Sequence, residues 1–202
     1  MSSVDRRLEL VSAALRVIAE HGVAGATTRA IVAEAGMPLA SFHYAFESRD
    51  EMMRELVSFV VENEAVAVFE SFRFDSDIRT SIRDALMAYL ETIASDPAHE
   101  LVMFELMQYS LRTEGLQHLA LEQHARYRSA VAELLTASAV NANIEWTKPV
   151  DEIARIVVTF TDGITFAWLA DRDLVEAARV VEFATDSLAT LAIPVRTKEH
   201  SA

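Results

Sequence analysis

The chain has 202 residues, no cysteine and a formal net charge of −13. Disulfides and thiolate metal sites are therefore excluded, and the acid excess opposes indiscriminate binding to phosphate. The opening MSSVDRRLEL lacks the apolar run of a signal peptide, and the apolar stretches further on look short and charge-bearing. A cytoplasmic protein with no membrane span is expected.

In chain order, Leu8, Val11, Ala14, Leu15 and Ile18 form the stripe of a first helix over about residues 4–21. Thr27 or Thr28 can cap a second, short helix whose apolar face is Ile31, Val32 and Ala35. Gly36 stands where a helix end needs a left-handed residue, and Pro38 can open a third helix. Phe42 and Phe46, at i and i+4, bury one side of that helix and leave Ser41, His43 and Tyr44 facing outward. Two short helices joined by a tight Gly turn outline a helix-turn-helix, whose second helix can enter a DNA major groove.

Ser48 and Glu51 read as a capping box that starts a long helix to about Phe72. Asp75 or Ser76 opens another to about Ser95, and Asp96-Pro97 restarts the chain into a helix that Gly115 ends. A helix over about Leu116–Val140, a loop over residues 141–149, and two helices over about Val150–Ala170 and Leu174–Leu191 complete the count. The expectation is an all-α protein of nine helices and no strand. A boundary near residue 48 separates a head, residues 1–48, from a larger helical domain, residues 49–195, and a polar tail, residues 196–202.

The segment Thr27–Met52 resembles the N-terminal pattern of the TetR family of bacterial transcriptional regulators. The resemblance rests on Thr27, Arg29, Ile31, Ala35, Gly36, Phe46, Ser48 and Arg49; the chain departs from the pattern at Leu39, His43 and Ala45. It implies a DNA-reading head in which Thr28, Arg29, Ser41, His43, Tyr44, Ser48 and Arg49 meet operator DNA. Helix N-termini at Thr28 and Ser48 suit phosphate, whereas Ser41 and His43 could reach base edges. Thr27, Thr28 and Ser48 also serve as plain caps, and Arg49 as the partner of a nearby acid.

The resemblance further implies a homodimer and a pocket for a small-molecule effector. The last two helices are unusually apolar, and Thr161-Asp162-Gly163 with Leu169-Ala170-Asp171 is similar to a pattern common in the family. The stripe Ile153, Val157, Phe160, Ile164 and Trp168 is read as the dimer interface, although it also suits an intramolecular core. Pocket candidates are Phe104, Met107, Gln108, Tyr127, Thr161, Thr165 and Trp168, which implies a largely apolar effector.

No enzyme signature is present: no P-loop, dinucleotide fingerprint or Gly-x-Ser-x-Gly elbow. His118 and His124 lie i, i+6 on one helix and point to different faces, so neither a metal nor a cofactor is expected. The reading is a DNA-binding repressor released by its effector. The alternative is a helical ligand-binding or scaffolding protein that has lost DNA binding, which Leu39, Ala45 and the acidic charge would favour.

Overall fold

The computed structural model describes residues 3–64 and 77–195. Among them are nine helices: α1 (Ser3–Gly25), α2 (Thr28–Glu34), α3 (Leu39–Ala45), α4 (Arg49–Glu64), α5 (Ile78–Ser95), α6 (Pro97–Arg112), α7 (Gln117–Ala142), α8 (Val150–Asp171) and α9 (Leu174–Ala189). The expected far end of α4 near Phe72, and the expected caps Asp75 and Ser76, lie outside the described residues. Asp77 caps α5, its carboxylate accepting the Arg79 and Thr80 N–H groups at 3.0 and 3.3 Å. Asp96 and Asp173 cap α6 and α9 in the same way.

The chain divides into two compact units, one of Met1–Glu64 with Asp96–His124, the other of Ala65–Ser95 with Ala125–Ala202. In the first, α1 packs against α2, α3, α4 and α6. Leu10, Ile31, Phe42, Phe46, Met52 and Leu56 form its fully buried centre. Each such side chain contributes about 1.5–3 kcal/mol relative to exposure. The helix-turn-helix thus shares one core with α4 and α6. The regular stretch of α1 ends at Gly22, whose φ of 71° and ψ of 171° break the helix. Gly36, at φ 63°, makes the turn between α2 and α3 in the left-handed region that glycine tolerates.

In the second unit α5, α8 and α9 pack together around Ile153, Ile164, Trp168, Val181 and Leu188. Arg79 and Arg83 on α5 reach Glu182 and Asp186 on α9 across exposed ion pairs that add little stability.

Two expectations are corrected here. First, residues 141–149 are not all loop and the chain is not without strands. Ile144–Trp146 (β1) pairs antiparallel with Ala192–Pro194 (β2), Glu145 opposite Ile193. Short apolar triplets carry too little periodicity to be told from loop; pairing partners far apart in sequence supply what they lack. Trp146 anchors the ladder by donating its indole N–H to the Leu135 carbonyl at 2.9 Å. Second, α8 is by length and composition apolar enough to cross a membrane. Ile153, Ala154, Val158, Ile164, Thr165 and Trp168 turn one side of it into the core of its own unit.

Candidate functional site

The reading helix α3 is set by its two phenylalanines. Phe42 and Phe46 are 1% and 2% exposed, with ring centroids 5.5 Å apart. Their burial forces His43 and Tyr44 outward, and Tyr44 is 71% exposed. Ser41 is half-buried and Arg29, on α2, is exposed. The Arg6 guanidinium lies 4.8 Å from the Tyr44 ring centroid, which brings a cation from α1 to the same surface. Sequence reasoning missed Arg6 because no local pattern connects residue 6 with residue 44.

The other expected DNA contacts divide. Thr27, not Thr28, is the cap of α2, its hydroxyl accepting the Ala30 N–H at 3.2 Å. Thr28 is half-buried as the first residue of α2. Ser48 caps α4 by accepting the Glu51 N–H at 3.1 Å, while the Glu51 carboxylate reaches back to the Glu47 N–H at 2.7 Å. The reciprocal pair of a capping box is present, one residue wider than its usual form. Arg49 is turned inward. It donates Nε to the Ala26 carbonyl and an Nη to the Val23 carbonyl, both at 2.8 Å.

Arg7 bridges α1 to α4 through Glu55 and Glu51, and also donates to the Ala45 carbonyl at the end of α3. Glu55 above all pushes the Arg7 pKa above its ordinary value. The Glu47 N–H, and then Arg7, hold the Glu51 carboxyl below the usual carboxylate range. Arg16 is bonded to Glu34 and Glu9. These arginines act inside the head, so its outward basic character rests on few side chains.

The second unit contains a cavity of about 70 Å³ lined by Ile82, Ala85, Leu86 and Tyr89 of α5, Val131, Leu134 and Leu135 of α7, Val157 and Thr161 of α8, and Leu188 of α9. Of the expected pocket residues, Thr161 lines it. Thr165 lies behind it, its hydroxyl 2.6 Å from that of Tyr89. Trp168 and Tyr127 belong to the surrounding core. Phe104, Met107 and Gln108 sit on α6, in the other unit. Nothing in the sequence separated the α5 and α7 lining residues from ordinary core, because a void and a packed interior use the same apolar stripes. The buried Trp168 Nε1 and Thr185 Oγ1 have no hydrogen-bond partner among the described residues.

The stripe read as a dimer interface packs within the chain, as its intramolecular alternative had it. Ile153, Ile164 and Trp168 are 0%, 2% and 5% exposed within a single chain, Val157 lines the cavity and Phe160 packs on the core. A helix apolar around most of its circumference has two candidate faces, and the stripe read from the sequence is the inward one. The outward apolar side chains are Phe166 on α8 with Leu174, Val175, Val180 and Phe183 on α9; Phe166 and Phe183 are 63% and 66% exposed.

A helix-turn-helix with an outward-facing second helix, in a chain whose other unit holds a half-open apolar cleft, is the architecture of a ligand-responsive DNA-binding protein. Residues 10–56 match the model of bacterial regulatory proteins of the tetR family, and residues 78–192 match that of the BetI-type transcriptional repressor C-terminal domain. The nicotine-responsive transcriptional repressor HdnoR of Paenarthrobacter nicotinovorans is 27% identical over 171 residues, 85% of this chain and 87% of that protein. The multidrug binding protein EbrR, solved with imidazole, is 27% identical with a TM-score of 0.67, covering 96% of this chain and 93% of that one. A transcriptional regulator from Rhodococcus sp. Rha1, at 16% identity, shares the fold with a TM-score of 0.74 over 94% of this chain and 99% of that one. The chain belongs to the TetR family of bacterial transcriptional regulators, and it is an all-α, ligand-responsive DNA-binding repressor.

Proposed function

We propose that the chain works as a homodimer in the bacterial cytoplasm. Residues 1–48 read a near-palindromic operator, and residues 49–195 hold the effector and the partner copy. The observation that carries the DNA reading is the orientation of α3: Phe42 and Phe46 inward, His43 and Tyr44 outward. His43 and Ser41 address base edges, while Arg29 and Tyr44 address phosphate, with the N-terminal turns at Thr28 and Ser48 contributing backbone N–H groups. The partner copy covers Phe166, Val175, Val180 and Phe183, an apolar surface that a monomer would leave in water.

The effector is a compact, neutral and largely apolar molecule that enters beside Tyr89 and Thr161. No charged side chain stands among the described lining residues, so a protonated amine would find no carboxylate to offset its desolvation. The cleft of about 70 Å³ is half open, and an effector that fills it favours whichever state holds it wide. The test is operator release, followed by fluorescence anisotropy, on titrating neutral benzene-sized compounds beside cationic analogues of equal size. Release by the neutral set alone is expected; release by the cations alone would refute this effector chemistry.

A further inference from the structure

The junction between α1 and α2 is held from two sides by charged groups that belong to neither helix. The chain breaks at Gly22 and runs through Val23–Ala26 to the Thr27 cap. Glu105, on α6, accepts the Val23 N–H at 2.6 Å. Arg49, the first residue of α4, donates to the Val23 carbonyl and to the Ala26 carbonyl, each at 2.8 Å. Both backbone polar groups of Val23 are thus bound to ionised side chains, one from α6 and one from α4. Hydrogen bonds to charged groups are about twice as strong as neutral ones.

The fit is close. A Cβ built at Gly22 would stand 3.1 and 3.2 Å from the two Glu105 carboxylate oxygens, and the left-handed φ of 71° disfavours any other residue there. The junction is further tightened by the Thr27 N–H bonded to the Gly25 carbonyl at 2.7 Å. Since α2 begins at this junction and carries α3 through a turn of few residues, the orientation of the reading helix follows the placement of Val23–Ala26.

We propose that Glu105 and Arg49 are positioning residues for operator binding. They clamp the α1–α2 junction and so present α3 in one orientation, and Arg49 acts through the junction carbonyls rather than through a DNA phosphate.

The test uses the full chain and a fluorescent duplex selected in vitro for binding by the wild type. Glu105→Ala is expected to weaken binding about tenfold, and Glu105→Gln, which keeps an acceptor oxygen, to restore most of it. Arg49→Ala should also weaken binding, yet leave the slope of log K against log salt unchanged, because no phosphate contact is lost. Amide exchange at Val23 should accelerate in Glu105→Ala while the Ile31 and Phe42 amides keep their protection. Wild-type affinity of Glu105→Ala overturns the proposal. So does loss of protection throughout the head, which would make the contact merely structural, or a salt slope flattened by about one in Arg49→Ala, which would return that arginine to the phosphate backbone.

Discussion

Four charged side chains around the helix-turn-helix are committed to one another or to backbone. Arg7 ties α1 to α4, Arg16 ties α1 to α2, and Arg49 and Glu105 bind the α1–α2 junction. The unit built around α5, α8 and α9 differs in holding a half-open apolar cleft beside Tyr89 and Thr161, and it buries the Trp168 indole N–H and the Thr185 hydroxyl without partners among the described residues. The difference matches two tasks. A head that reads a fixed helical groove works best in one geometry, since each contact depends on the placement of the others. A unit that must respond needs states close in free energy, and an unfilled cleft, where few packing contacts oppose rearrangement, keeps them close.

Mutations should separate the two regions, beginning with the head core. Phe42→Ala removes a ring that is 1% exposed and should destabilise the head by about 3–5 kcal/mol, abolishing operator binding in a gel shift. Retention of wild-type affinity would mean the head is not one packed core.

Next in size is the outward face of α8 and α9. Replacing Phe166 and Phe183 together by Glu should convert a dimer into a folded monomer by light scattering, since each Phe buried at an interface is worth about 1.5–3 kcal/mol. Ile164→Glu, by contrast, places a charge in the core of the chain itself and should lower thermal stability directly. A double variant that stays dimeric would leave the outward face without this role.

On the reading surface, Arg29→Ala should weaken binding to all sequences and flatten the salt slope by about one. Substituting His43 or Ser41 should instead change which operator bases are preferred, as read by in vitro selection. An unchanged preference would remove both from base readout.

Thr185→Val tests the orphaned hydroxyl. The residue is fully buried and its oxygen has no partner among the described residues, so the near-isosteric change should stabilise the protein by about 1 kcal/mol in denaturant titration. The smallest effect concerns acid. The Glu51 carboxyl is held below its ordinary range by the Glu47 N–H and Arg7. A depressed folded value adds stability above the unfolded value, and that stability is lost as pH falls through the folded one. Glu51→Gln should therefore flatten the acid limb of the head's stability profile below the carboxylate range. A limb as steep as that of the wild type would assign the acid sensitivity to other carboxylates.

Local chemistry determined most of what the sequence revealed. Helix periodicity, a cap at Thr27 or Thr28, the Ser48 cap, the Gly36 turn and the Phe42–Phe46 pair are relations within a few residues, so they outlined the helix-turn-helix and the outward His43 and Tyr44 of α3. Tertiary structure decided whatever depends on partners far along the chain. It turned Ile164 and Trp168 inward and Phe183 outward on helices apolar enough to bury either face. It paired residues 144–146 with 192–194, turned Arg49 to the Val23 carbonyl, and brought Glu105 to the Val23 N–H. It also lined the void with α5 and α7 residues in place of the α6 residues expected there. A stripe of apolar side chains states that a face is buried; which neighbour buries it, and whether that neighbour leaves a gap, is settled only when the helices pack.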